Sequence, residues 1–183
     1  MDRQFNKITE IFSRYILILL VGFGNLYIFY KVLTPLTVHT LNFIISLFTA
    51  TLLIENTIYI KWLTIEIVPA CIAGSAFYLL FILIFSTPRI KLRKRIYMFT
   101  AATISLFLLN VTRILFLIAI TNISSFDLIH WIFWNLVSVV FVVALWVILV
   151  KIYKIKEIPI YSDVRYFYNL IKTKQKSPRK KKH

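Results

Sequence analysis

The chain has 183 residues, of which 60% are hydrophobic and 16% aromatic, with a formal net charge of +15 and a mean hydropathy of +0.80. A soluble domain of this size cannot hide that much apolar surface, so the composition reads as one integral membrane domain and excludes an ordinary globular enzyme. A single cysteine, Cys71, excludes an internal disulfide and any cysteine-based zinc site, and His39, His130 and His183 show no metal-ligand spacing, so neither metal nor cofactor is expected.

Taken in chain order, five apolar windows approach the roughly 20 residues that a helix needs to cross the hydrocarbon core. They lie at about 15–33, 36–54, 68–86, 96–120 and 128–150. No cleavable signal peptide opens the chain, and the first window reads as a retained helix. Pro35 is expected to mark a tight turn between the first two windows. Residues 56–67, rich in β-branched and aromatic side chains with Lys61 and Glu66 interspersed, predict an extended segment or small hairpin at the membrane interface. Pro69 then suits the first turn of the third helix. The expected fold is an all-α, polytopic membrane helix bundle: about five transmembrane helices, with a short extended segment before helix three. Residues 1–150 form the membrane-embedded domain and 151–183 a basic tail.

The positive charge is concentrated. Residues 88–95 carry Arg89, Lys91, Arg93, Lys94 and Arg95, and the tail ends Arg179-Lys180-Lys181-Lys182-His183. These runs read as cytoplasmic flanks meeting anionic lipid rather than as a nucleic-acid surface. Five crossings then put the N-terminus outside, against Arg3, Lys7 and Arg14, which Asp2 and Glu10 only partly offset. The alternative is an interfacial cytoplasmic helix over residues 1–14, with one of the first two windows failing to cross.

Three polar residues stand out against this background. Cys71 opens helix three within Ala70-Cys71-Ile72-Ala73-Gly74, Arg113 lies inside helix four within Asn110-Val111-Thr112-Arg113-Ile114, and His130 heads helix five. An Arg in the hydrocarbon zone is functional by default because its burial is costly. At about 1.5 Å per residue Arg113 lies about 10 Å below the outer end of helix four, within snorkelling reach of the other two. A thiol at a helix N-terminus beside a cation gains nucleophilicity. A histidine supplies acid–base chemistry, and a guanidinium stabilises a thiolate or oxyanion. The plain alternative is a packing cysteine, an interfacial histidine and an arginine that pairs with another subunit.

In order, spacing and placement these motifs resemble the exosortase/archaeosortase family of membrane transpeptidases over residues 36–150. The chain departs from many members in having Ile72-Ala73-Gly74 after the cysteine, where Ser or Thr followed by Gly is common. It would be a minimal version, and its Ile- and Lys-rich composition points to an archaeal-type member. The resemblance implies a cysteine peptidase that cuts surface proteins at a short motif preceding a C-terminal membrane helix and basic cluster. The new C-terminus would pass to an acceptor, often a lipid. It assigns Cys71 as nucleophile, Arg113 as thiolate or oxyanion partner and His130 as acid/base. Asn110, one turn before Arg113, is expected to orient it, and Glu66 reads as a plain interfacial carboxylate, with a charge pairing to Arg113 as the alternative. Among other features, Asn122-Ile123-Ser124 fits a glycosylation sequon in an outer loop, and Phe126, Trp131, Phe133 and Trp134 fit an aromatic belt. A non-enzymatic scaffold or transporter subunit is the competing expectation.

Overall fold

In a computed structural model the chain is mostly helical and carries one small sheet. The structure describes residues 2–24, 26–61, 63–88, 90–121, 131–132, 138–155 and 161–176. In order the elements are α1 (Asp2–Phe23), α2 (Tyr27–Ser46), β1 (Leu52–Ile54), β2 (Thr57–Ile60), β3 (Leu63–Glu66), α3 (Pro69–Ile72), α4 (Gly74–Phe85), α5 (Leu92–Ala119), α6 (Ser138–Ile152) and α7 (Tyr161–Lys176).

Two helices, α2 and α5, are long and apolar enough to cross a membrane, while Pro69–Phe85 and Val139–Ile152 are apolar but shorter. Two such helices among the described residues stand where five were expected. The first two windows are also divided elsewhere. The break falls between Phe23 and Tyr27, with Leu26 in a left-handed conformation at φ 60°. Pro35 lies inside α2 instead of in a turn. A proline in a membrane-type helix is tolerated where neighbouring helices and local adjustments accommodate the freed carbonyl. α2 is packed over Leu33, Thr37, Val38, Leu41 and Ile45, all buried, so tertiary contact holds it through the proline.

The predicted interfacial segment is a three-stranded antiparallel sheet in the order β1-β2-β3. Residues 52–54, expected to end the second helix, form its first strand. The strands alternate as a one-sided sheet should. Ile58, Ile60, Ile65 and Ile67 belong to the core cluster or pack against it, whereas Tyr59, Thr64 and Glu66 are exposed. Ile58 and Ile65 face each other across the β2–β3 ladder.

α4 is the central post: it packs against α5 and α6 and also meets α1 and α2. Its buried side chains Phe77, Leu80 and Ile84 share one core with Met98, Ala102 and Leu106 of α5. Phe81, Phe85 and Phe99 form an aromatic cluster with centroid separations of 4.3, 5.6 and 5.7 Å. Tyr78 Oη donates to Ile18 O at 2.9 Å, which ties α1 to α4.

The basic loop is more than a flank. Arg95 is buried at 7% exposure, lies over the Phe85 ring and donates to Thr87 O at 2.7 Å. Lys94 Nζ donates to Tyr153 O at 2.6 Å, just past the end of α6. The tail is likewise anchored. Asp163 of α7 accepts from Arg14 at 3.1 and 3.2 Å and from Tyr15 Oη at 3.2 Å, and both partners of this ion pair are buried. This contact puts residue 14 and the tail helix at the same end of the molecule, whereas five crossings would put them at opposite ends.

Candidate functional site

The site begins with a broken helix. Val68 is extended, and Pro69 occupies the first helical turn as expected. Cys71 N donates to Val68 O at 2.8 Å. Only four residues later the helix stops, because Ala73 takes a left-handed conformation at φ 58°, ψ 35°. α4 restarts at Gly74, with Ala76 and Phe77 both donating to Ala73 O. The third window is thus two helices, not one. A left-handed residue between them interrupts the i→i−4 ladder and releases carbonyls near the break.

One of those carbonyls belongs to Cys71, and α5 supplies its partners. Asn110 Nδ2 donates to Cys71 O at 2.9 Å and Arg113 Nη2 donates to the same oxygen at 3.3 Å. Asn110 and Arg113 are 5% and 8% exposed, so both donors are buried. Residues three apart on a helix share a face, and the Asn-x-x-Arg spacing places both side chains over the break. Charge-assisted and amide donors on one carbonyl fix the peptide that carries the thiol. Asn110 therefore has a contact of its own with the Cys71 segment; sequence reasoning gave it only the role of orienting Arg113.

Cys71 is partly buried and is a free thiol. With Arg113 it borders a cleft of about 330 Å³ between β3 and the C-terminal half of α5. Glu66 lies in the wall of the same cleft, with Ile114, Leu117 and Thr121 opposite. A second cavity of about 380 Å³ opens on another side of the break, bordered by Tyr30, Ala70, Ser75, Val139 and Val142. The small residues around the thiol have a packing reason besides access. A Cβ on Gly74 would come within 2.7 Å of the Tyr30 ring, so α2 packs directly on this glycine.

Two of the three expected site residues, Cys71 and Arg113, are thus brought together. The third, His130, lies outside the described residues, as do the sequon at 122–124 and Phe126, Phe133 and Trp134 of the aromatic cluster; Trp131 is described and exposed. His39 is exposed on α2, away from the buried face of that helix. Among the described residues no group of three His, Cys, Asp or Glu side chains is arranged to hold a metal ion. Comparison with protein-family models, curated proteins and solved structures finds no match.

Proposed function

We propose that this chain is a membrane-embedded cysteine peptidase of the exosortase/archaeosortase type. It cleaves C-terminal sorting signals of surface proteins and transfers the new C-terminus to a lipid acceptor. The observation that carries the reading is the convergence of Asn110 and Arg113 on the Cys71 carbonyl, beside a cleft that Cys71 and Arg113 share. A thiol on an immobilised peptide, next to a buried cation and an open cleft, is arranged as a nucleophile needs to be.

In the proposed reaction Cys71 Sγ loses its proton to His130 and adds to the scissile carbonyl, with Arg113 offsetting the developing negative charge. The C–N bond breaks as His130 returns the proton to the leaving amine, leaving a thioester. An acceptor hydroxyl or amine then adds to the thioester carbonyl, the C–S bond breaks, and the acceptor's proton passes by way of His130 to the released thiolate. Water in place of the acceptor gives hydrolysis; the mass of the new C-terminus separates the two outcomes.

The membrane setting is part of the proposal. Large apolar side chains face outward along the helices, including Leu19, Leu20 and Phe23 of α1, Ile104 and Leu108 of α5, and Val140 of α6. Their burial in lipid accounts for an apolar exterior around a packed core. The basic 88–95 loop and the tail lie in the cytoplasm, where they meet anionic lipid, and Cys71 lies toward the outer face. The Arg14–Asp163 pair supports a cytoplasmic N-terminus as well. α1 and α2 climb successively along α4, from Tyr78 to Gly74, and together make one outward passage. Four crossings result.

Cys71→Ala tests the function. The substitution leaves the carbonyl contacts in place, so the variant inserts and accumulates. Intact-mass profiling of host surface proteins should then show precursors that retain a C-terminal helix and basic cluster. Processing unchanged from wild type would sink the reading. One observation favours a scaffold instead: both α5 donors hold a main-chain carbonyl, a contact that serves packing without any thiol. On that reading Cys71→Ser keeps full function.

A further inference from the structure

The sheet beside the cleft has an edge to which no strand is paired among the described residues. β3 pairs with β2 on one side and with no strand on the other. Ile67 N donates to Asn56 O at 2.9 Å, and Ile58 and Ile65 are register partners. Hydrogen-bonded and non-bonded pairs alternate along an antiparallel ladder. Leu63, Ile65 and Ile67 therefore turn their N–H and C=O toward β2, while Thr64 and Glu66 turn theirs away from it.

The cleft lies along this free edge. Every residue from Leu63 to Val68 borders it. A strand presenting a face would contribute alternate residues; six in succession mean that the backbone itself forms the wall. Cys71 and Arg113 border the same cleft, with only Ile67 to Ala70 between the strand and the thiol. Outward main-chain donors and acceptors at 3.3–3.4 Å rise per residue are complementary to another extended backbone, the basis of recognition by strand addition. β3 itself carries no proline or lysine, two of the devices that commonly blunt an edge.

We propose that the free edge of β3 is the substrate-docking strand: an extended segment of the sorting signal adds as a fourth strand, bonded to Thr64 and Glu66, and this register delivers its scissile bond to Cys71. The inference rests on the peptidase reading. Main-chain bonding sets the conformation and register of the substrate, while side chains lining the cleft select its sequence.

Thr64→Pro tests it. Proline removes the outward N–H of Thr64 and leaves the inward ladder to β2 intact, the arrangement in which edge strands tolerate proline. Loss of one such bond slows processing of the precursor that accumulates in Cys71→Ala by about fivefold or more, and by clearly more than Thr64→Ala, which alters the side chain in the cleft but keeps the N–H. A Thr64→Pro variant that accumulates normally and cuts at the wild-type rate overturns the proposal. Should Thr64→Pro fail to accumulate, crosslinking decides. In a Cys71→Ala background with Thr64→Cys, single cysteines are placed along the precursor ahead of the cleavage site. A disulfide confined to one precursor position and absent at its immediate neighbours supports strand addition in a fixed register; disulfides at consecutive positions, or none, overturn it. No precursor in Cys71→Ala itself means that the peptidase reading has failed, and the docking strand falls with it.

Discussion

Ala73 holds the left-handed conformation that separates α3 from α4, and the placement of the candidate site follows from it. A non-glycine residue there carries about 1–2 kcal/mol of backbone strain. Ala73→Gly is therefore expected to raise stability by about 1 kcal/mol, seen as a higher unfolding midpoint in detergent. A lower midpoint would mean that the alanine methyl packs more than the backbone strains. Asn110 and Arg113 occupy the carbonyl that this break exposes. Asn110→Ala removes the shorter contact and is expected to cost about 1–3 kcal/mol, checked by the same unfolding assay. Arg113→Lys keeps a charge but loses the planar fork. On the peptidase reading it accumulates like wild type while processing falls sharply; retained processing would show that any cation suffices at this position.

At the level of the elements, chain breaks and small residues govern packing. α2 lies on Gly74, where an added methyl meets the Tyr30 ring. Gly74→Ala is expected to destabilise by about 1–3 kcal/mol through overpacking, and Tyr30→Ala in the same chain should restore part of that loss. A double variant no better than the single one would place the strain in the α4 backbone instead. The residues just after α4 are held in a comparable way: Ser86 and Thr87 are buried, Thr87 Oγ1 donates to Leu83 O at 2.7 Å, and Arg95 covers the end of α4. Here the positive charge does two kinds of work. Lys91 and Arg93 are exposed, while Arg95 and Lys94 bond main-chain carbonyls that the ends of α4 and α6 leave open.

For the molecule as a whole, the Arg14–Asp163 pair has the widest consequence. A buried pair is costly to break from one side because it leaves an uncompensated charge. Asp163→Ala is expected to cost about 3 kcal/mol and to release α7, making the tail susceptible to protease at concentrations that spare the wild type. Since residue 14 and residue 163 share one end, single cysteines at Glu10 and Lys172 in a Cys71→Ala background should both react with impermeant maleimide only after the cytoplasmic side is opened. A cysteine at Lys61, next to the sheet, should react in intact cells. Labelling of Glu10→Cys from outside would overturn the four-crossing arrangement.

Much of this protein follows from its sequence alone. Apolar windows mark the stretches that carry α2, α4, α5 and α6, though neither the bounds of the first two helices nor the break in the third window, because burial of a hydrophobic stretch depends on composition and length. The β-branched run at 56–67 locates the sheet because such side chains favour a pleated surface. Pro69 marks the start of α3 because its fixed φ suits a first turn, and the Asn-x-x-Arg motif leads to the candidate site because helical spacing puts both side chains on one face. Tertiary structure decided what depends on distant partners. It carried α2 through Pro35, split the third window at Ala73, gave Asn110 a carbonyl of the preceding helix, and drew Arg95 and Lys94 out of the basic flank into caps. It also joined Arg14 to Asp163, residues 149 positions apart. Such a pairing has no local signature, since nothing in the neighbourhood of either charge specifies which opposite charge will share its burial.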